Sequence, residues 1–415
     1  MRSITSCGTA GLCAALFIAG CGGPIPSTEQ SRNRAVEEDG ASQSSWAMPS
    51  GELIPLRVLP GKTDKDIKDT RWQSEHYVWL DAGVEQRGKL FVFLPAQTTT
   101  AKLHTPAMYQ SVAKEAAHAG YHVIVLSYAN TVGVLGGGDS ICKTTDVNPP
   151  FATCQENVRL QILDGPEFNG KPLLPAIAGL TRAEGIYNRL TKLIEHLAND
   201  VDGEWSQFLH RGAPHWKKIV MSGLSYGGAE AILIAKYNSV QRVVLFAAPR
   251  DGSGTTPNAW VGLGETAPKR YYGLVHMGDP LEALTLVSWG SDSKGAAMTE
   301  PPFLALSQFG EAVQEDLPPN AAPYDRTHML LTNRDPLGVT TGLRGNPAYC
   351  TPPHPPLALP VACTQIGKHS SVVLDELTPT VDDRPGSTPL LRDAWRYMLA
   401  AHDGDDADED GDSRD

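Results

Sequence analysis

The sequence predicts an α/β fold, with a mainly parallel central sheet flanked by helices. The first reason is that its short apolar runs, such as KLFVFL at 89–94 and RVVLF at 242–246, lack polar alternation. Such runs are typical of parallel strands that are buried on both faces. The second reason is that helical segments separate the runs, as crossover connections between parallel strands require. With 415 residues, of which 41% are hydrophobic, the chain can also bury a large core.

Strands and helices alternate along most of the chain. Strands are predicted at 77–80, 89–94, 122–126, 217–221, 242–246, 271–276 and 328–331. Helices are predicted at 109–119, 181–198, 227–237 and 390–401. In sheets of this kind, functional residues gather at the carboxyl ends of the strands. The turns that follow the strands are therefore where a site is expected.

Two long segments interrupt this alternation, and each contains a pair of cysteines. Segment 133–179 contains Cys142 and Cys154, and the Pro-rich segment 338–366 contains Cys350 and Cys363. Four cysteines allow three connectivities, of which the two local pairs are the simplest. Each local disulfide would close a loop and add ~3 kcal/mol of stability. We expect two ordered, disulfide-bonded insertions near the site entrance, with plain surface decoration as the alternative.

The N-terminal residues have the features of an export signal. Arg2 precedes an apolar stretch at 11–20, which is too short for a permanent membrane-spanning helix. The sequence Ile18-Ala19-Gly20-Cys21 resembles the lipobox of bacterial lipoproteins. We therefore expect a signal peptide at 1–20, a lipid on Cys21 and a flexible tether at 21–70. The protein would then be an exported lipoprotein of the cell envelope, in the outer membrane if the cell is Gram-negative. A plain secretory signal or an anchor helix is the alternative.

Composition and missing motifs exclude several classes of function. The folded domain is expected at 71–402, and the acidic tail at 403–415 is expected to be disordered because it cannot bury apolar surface. The net charge of -12 and the lack of a basic patch argue against nucleic-acid binding. CxxC and HExxH motifs are absent, so neither a metal nor another cofactor is predicted.

The strongest motif for chemistry is Gly223-Leu224-Ser225-Tyr226-Gly227-Gly228, a G-x-S-x-G pattern. It follows a β-rich run directly and precedes an apolar helix directly. In this context the serine lies on a tight strand-to-helix turn, and the glycines permit close approach of strand and helix. Ser225 is therefore the predicted nucleophile.

A serine hydroxyl needs a base to take its proton, and an acid to orient that base. Asp279 follows the strand at 271–276 and is the first candidate for the acid, while Asp251 after the strand at 242–246 is the second. His369, in a loop late in the chain, is the predicted base. Three other histidines are weaker candidates: His328 at a strand start, His354 in the Pro-rich segment, and His276, which could orient Asp279.

Stabilisation of an oxyanion requires two donors. The backbone N–H of Tyr226, directly after the nucleophile, is one of them. The second is expected from the turn after the strand at 89–94, where the sequence is Pro95-Ala96-Gln97. Gln97 is our choice and Ala96 is the alternative.

From about residue 89 to residue 401, the chain resembles the α/β-hydrolase superfamily in motif, order of strands and spacing. Within this superfamily the chain resembles a group of exported bacterial hydrolases. The features that suggest this group are GYHVIVLSYAN, the GLSYGG turn, the cysteine pairs and the late KHSS histidine. The resemblance implies a Ser-His-Asp triad, a parallel core sheet and an inserted cap. The predicted activity is hydrolysis of a small-molecule or polymeric carboxylic ester. Two alternatives remain: a non-catalytic surface binding protein on this fold, and a peptidase or acyltransferase with the same triad.

Overall fold

In the computed structural model of the protein, the described residues are 53–68, 70–98, 104–133, 141–143, 149–253, 255–292, 303–337, 367–384 and 386–401. The predicted signal peptide, Cys21 and the acidic tail lie outside these residues, as do His354, Cys350 and Cys363. Across the described ranges, none of the helices combines the length and the apolar character that crossing a bilayer requires.

The centre of the protein is a sheet that has nine strands in the described part of the chain. Its spatial order is β1-β2-β4-β3-β5-β6-β7-β9-β8. The strands are β1 (Leu56–Val58), β2 (His76–Trp79), β3 (Leu90–Leu94), β4 (His122–Val125), β5 (Ile219–Leu224), β6 (Arg242–Phe246), β7 (Tyr271–His276), β8 (Val313–Gln314) and β9 (Met329–Thr332).

The sheet is mainly parallel, as predicted. Only β2 is reversed, because it pairs antiparallel with both β1 and β4, and every other pair is parallel. Strand β1 pairs with β2 although it lies within the predicted tether at 21–70. The boundary predicted at residue 70 is therefore wrong. The edge strand is only three residues long, which is too short to give a recognisable pattern.

Helices cover the sheet in two groups. They are α1 (Pro60–Thr63), α2 (Gln110–His118), α3 (Phe151–Asp164), α4 (Ile186–Asp200), α5 (Tyr226–Tyr237), α6 (Glu282–Ser288) and α7 (Arg392–Ala400). Helix α2 packs against α7, whereas α3 packs against both α4 and α5. The chain moves one way along the sheet from β3 to β4 and the opposite way from β5 to β6. Right-handed crossovers therefore place α2 and α5 on opposite faces.

Short elements complete the described chain. Two-residue hairpin strands are Glu167–Phe168 with Lys171–Pro172, Leu209–His210 with Ala213–Pro214, and Gly252–Ser253 with Thr256–Pro257. The 3-10 helices are Thr70–Trp72, Pro106–Met108, Arg182–Glu184, Trp205–Phe208, Trp216–Lys218, Pro268–Arg270, Leu306–Phe309 and Tyr324–Arg326.

Most predicted elements occur with small changes of bounds. The strand predicted at 217–221 runs on to Leu224, because Gly223 pairs with Leu94 and Leu224 pairs with Phe246. The helix predicted at 181–198 is divided at Gly185 into a 3-10 turn and α4. A side chain at Gly185 would lie 2.9 Å from the Leu163 carbonyl oxygen, which explains the small residue.

The segment predicted as an insertion at 133–179 contains a long helix. Cys142 and Cys154 form the predicted disulfide within this segment, and Cys154 lies in the first turn of α3. Helix α3 packs against α4 and α5, so this part of the segment belongs to the helical layer rather than to a loop. Polar residues such as Gln155 and Arg159 are buried in α3, so its sequence lacks an obvious apolar face.

Candidate active site

Ser225 lies between the end of β5 and the first residue of α5, with φ 53° and ψ -108°. A residue with a side chain is strained in this conformation, and such strain is typical of functional sites. The Ser225 N–H donates to the Phe246 carbonyl oxygen at 2.8 Å, which fixes the turn against β6. The side chain is thereby held at the carboxyl edge of the sheet, at the start of a helix whose N–H groups are free to bind an anion.

The glycines of the motif are required by close approach. A side chain at Gly227 would lie 2.0 Å from the carbonyl oxygen of Leu94, at the end of β3. A side chain at Gly223 would lie 2.4 Å from the carbonyl carbon of Gly227. Strand β3, the serine turn and α5 therefore meet where no Cβ fits.

The turn after β3 keeps its shape without glycine. Tyr128 donates its hydroxyl hydrogen to the Pro95 carbonyl oxygen at 2.6 Å, and Asn130 donates to that of Ala96 at 2.8 Å. The Ala96 N–H donates to the Tyr109 hydroxyl at 3.1 Å and is therefore occupied. Among the described residues, the Gln97 N–H has no hydrogen-bond partner. Gln97 is thus the better of the two residues considered for the second donor.

His369 and Asp279 meet although 90 residues separate them in the chain. His369 Nδ1 lies 2.6 Å from Asp279 Oδ2, and the Leu281 N–H donates to Asp279 Oδ1 at 2.9 Å. Burial alone would raise the pKa of Asp279, but the charge and hydrogen bond of His369, the Leu281 N–H and Arg250 together lower it. Asp279 is therefore ionised and can hold the Nδ1–H tautomer of His369.

Asp251, the second candidate for the acid, is occupied elsewhere. Its two carboxylate oxygens each accept a hydrogen bond of 2.5 Å from the buried side chain of Arg159 in α3. Arg159 also donates to Glu230 of α5 at 2.8 Å and lies 4.4 Å from the centre of the Tyr226 ring. We call Arg159, Asp251 and Glu230 the arginine cluster. The arginine cluster contacts α5 through Tyr226 and Glu230. Asp279 is therefore the carboxylate that lies beside His369.

Glu230 makes the stability of the protein depend on pH. Burial raises its pKa from 4.5 to about 8, although Arg159 opposes the shift. Between these values Glu230 is protonated in the folded protein and ionised in the unfolded chain, so the folded state loses stability as pH rises. Glu230→Gln cannot ionise. We expect the free energy of unfolding of this variant, relative to wild type, to increase from pH 5 to pH 8 and then to level off. Urea titrations of both proteins at a series of pH values would measure the difference. A difference that does not change with pH would contradict this prediction.

Of the other histidines considered, His276 and His328 have structural roles. His276 accepts a hydrogen bond from the Gly278 N–H at Nδ1 (2.8 Å), and its Nε2 lies 3.0 Å from the Arg334 carbonyl oxygen. It therefore shapes the turn that carries Asp279. His328 stacks between the rings of Tyr272 and Phe309, with centroids 4.0 and 4.1 Å away.

Two residues near Ser225 and His369 are not apparent from the sequence. Arg250 Nη1 lies 3.4 Å from Ser225 Oγ and 3.4 Å from His369 Nε2. One nitrogen of Arg250 thus contacts both Ser225 Oγ and His369 Nε2, and Ser225 is hydrogen-bonded to Arg250 rather than to His369. Burial and the neighbouring His369 lower the pKa of His104 to about 4, so His104 is neutral. The only sequence signal for Arg250 is a cation directly after the apolar run of β6.

The arrangement suits proton transfer and nucleophilic attack. Ser225, Asp279 and His369 are 4%, 5% and 7% exposed, so water has little access to these three side chains. The positions of Ser225 after β5 and Gln97 after β3 match the crevice where the direction of strand connection reverses. In the described ranges, no group of three or more His, Cys, Asp or Glu side chains could hold a metal ion.

No protein-family model and no curated relative matches the chain. Among solved structures, it is similar to MGS-M1, an α/β hydrolase from a Medee basin deep-sea metagenome library, at 10% identity and TM-score 0.27, covering 55% of this chain and 71% of that one. It is also similar to Thermogutta terrifontis esterase 2 phosphorylated by paraoxon, at 12% identity and TM-score 0.28, covering 56% and 73%. These low values transfer no residue role or substrate.

The fold is instead identified from the chain's own topology. A parallel sheet with β2 reversed, the order β1-β2-β4-β3-β5-β6-β7, and a strained serine between β5 and α5 occur together here. This combination corresponds to the architecture that the GLSYGG motif predicts. The chain has the α/β-hydrolase fold.

Proposed function

We propose that the protein is a serine hydrolase that cleaves carboxylic esters through an acyl-enzyme on Ser225. The observation that carries the proposal is the hydrogen bond of 2.6 Å between Asp279 and His369, beside a serine held at φ 53°. Arg250 Nη1 contacts both Ser225 Oγ and His369 Nε2, so these two atoms lie close to each other.

In the proposed reaction, Ser225 Oγ attacks the ester carbonyl carbon and His369 Nε2 takes the hydroxyl proton. Asp279 stabilises the imidazolium that forms. The N–H groups of Tyr226 and Gln97 donate to the oxyanion, aided by the N-terminus of α5. His369 then gives the proton to the leaving alcohol, and water releases the acid by the same steps.

Labelling with a fluorophosphonate probe tests the activated serine. We expect the purified protein to form an adduct that mass spectrometry maps to Ser225, and Ser225→Ala to form none. Ser222→Ala is the matched control, because this serine lies in β5, three residues before Ser225, and its hydroxyl donates to the Val244 carbonyl oxygen. A folded wild type that does not label would contradict the proposal and favour a binding protein. Labelling without turnover of any ester would favour a peptidase or acyltransferase.

Export with a lipid on Cys21 also remains our proposal. It is supported by the sequence Ile18-Ala19-Gly20-Cys21 and by the disulfide between Cys142 and Cys154, since disulfides persist in oxidising compartments. The mass of the mature N-terminal peptide would test it.

A further inference from the structure

Arg250 carries a positive charge to the reacting atoms. It follows β6 by four residues, and its side chain is partly buried. Its Nη1 donates to Ser225 Oγ and to His369 Nε2, both at 3.4 Å. These are long hydrogen bonds, and neither partner is a carboxylate, so they compensate the partly buried guanidinium only weakly.

No carboxylate pairs with Arg250 among the described residues. Its Nε is buried and has no hydrogen-bond partner. The two carboxylates near it are already engaged, since Asp279 binds His369 and Asp251 binds Arg159. Burial lowers the pKa of Arg250, although these two carboxylates oppose the shift.

Two other buried arginines differ from Arg250 in this respect. Arg159 pairs with Asp251 and donates to Glu230, and Arg189 pairs with Glu184. Buried cations in proteins are paired in this way because an unpaired charge is costly. Arg250 therefore has an unused capacity to bind an anion, directly beside the nucleophile.

We propose that Arg250 binds a carboxylate of the substrate, so that the preferred substrates are short esters with a carboxylate a few bonds from the scissile carbonyl. The inference rests on the proposed function. A guanidinium binds a carboxylate through two parallel hydrogen bonds, and here the two Nη groups would donate them, because Nε is buried. The carboxylate must be near the ester, because Nη1 lies 3.4 Å from Ser225 Oγ.

Binding of the carboxylate would also activate the serine. In this structure the Arg250 N–H occupies the lone pair of His369 Nε2 that must accept the serine proton. A carboxylate that takes this N–H leaves Nε2 open to the Ser225 hydroxyl. The charged ester should therefore have both a higher kcat and a lower KM than the neutral ester.

Two pairs of esters that differ by one methyl group test the proposal by proton release in a pH-stat. In the first pair, monomethyl succinate has its carboxylate on the acyl side of the ester, and dimethyl succinate is its neutral counterpart. In the second pair, acetoxyacetate has its carboxylate on the alcohol side, and methyl acetoxyacetate is its neutral counterpart. We expect wild type to prefer the charged member of one pair, and the pair identifies the side. In Arg250→Gln, the ratio of kcat/KM for the charged ester to kcat/KM for the neutral ester should fall about 100-fold. Arg250→Lys should retain part of the preference.

Arg384→Gln is the matched control, because it removes an exposed arginine charge outside the site and should leave both ratios unchanged. Three results would overturn the proposal: no preference in either pair, a preference that survives in Arg250→Gln, or an equal fall for charged and neutral esters, which would assign Arg250 to the oxyanion.

Calorimetric titration with succinate separates this proposal from the proposed function. Binding by wild type that Arg250→Gln loses and Arg250→Lys weakens would support the anion site even if no ester is hydrolysed. Absence of succinate binding in a protein that labels at Ser225 and hydrolyses neutral esters would overturn the anion site alone. If Arg250→Gln does not fold, the Lys variant carries the comparison.

Discussion

Asp279→Asn should lower kcat for ester hydrolysis about 10⁴-fold without a large change in stability. Asparagine keeps the shape of the aspartate, but its amide cannot hold the Nδ1–H tautomer of His369 or stabilise the imidazolium. Because Asp279 and His369 are in contact at 2.6 Å, we expect only substitution of Ser225 to lower kcat more than substitution within this pair. Steady-state rates, the rate of fluorophosphonate labelling and a thermal unfolding curve for the variant would check the prediction.

Asp251→Asn is the matched control for the choice of acid. Asp251 binds Arg159 and lies in the arginine cluster, away from the His369 Nδ1 atom. We expect its replacement to reduce thermal stability and to change kcat far less than Asp279→Asn does. If the folded Asp251→Asn protein loses more activity than Asp279→Asn, Asp279 is not the triad acid.

Arg159→Met should lower the free energy of unfolding by about 3–5 kcal/mol, because it leaves a buried carboxylate without its partner. Arg159 is fully buried and donates to Asp251, to Glu230 and to the Tyr226 carbonyl oxygen. Methionine fills similar space but donates no hydrogen bond. Urea denaturation of both proteins at pH 7 would measure the difference.

Arg182→Met provides the comparison for this stability effect. Arg182 also pairs with a carboxylate, at 3.1 Å from Asp164, but its side chain is 72% exposed. Exposed pairs contribute about 0–1 kcal/mol, so this variant should differ little from wild type. Equal losses from Arg182→Met and Arg159→Met would show that burial of the arginine cluster does not contribute to stability.

The strands of the core and the serine turn can be predicted from the sequence alone. Residues 242–246 and 271–276 form strands with the predicted bounds, because an uninterrupted apolar run can only be buried on both faces of a parallel sheet. The GLSYGG motif is equally local: a strained serine and glycines at points of close approach are needed within six residues. Such features are encoded by neighbours in the chain and can be recognised there.

Other parts of the fold were not visible in the sequence. Helix α3 buries Arg159 and Gln155, whose polarity hides the helix in a segment that otherwise predicts a loop. Strand β1 has only three residues, and its existence depends on pairing with β2. The choice between Asp279 and Asp251 was likewise open, because both follow strands and only their partners distinguish them.

The contact of Arg250 with the serine and histidine depends entirely on tertiary structure. Ser225 and Arg250 follow β5 and β6, and His369 lies in a helical stretch at 367–370. The three residues meet at the edge of the sheet where the parallel strands end. A single arginine after an apolar run has no distinctive pattern of its own. The role of Arg250 depends on the two carboxylates near it. In the folded protein these are paired with Arg159 and His369, so the charge of Arg250 remains available to a ligand.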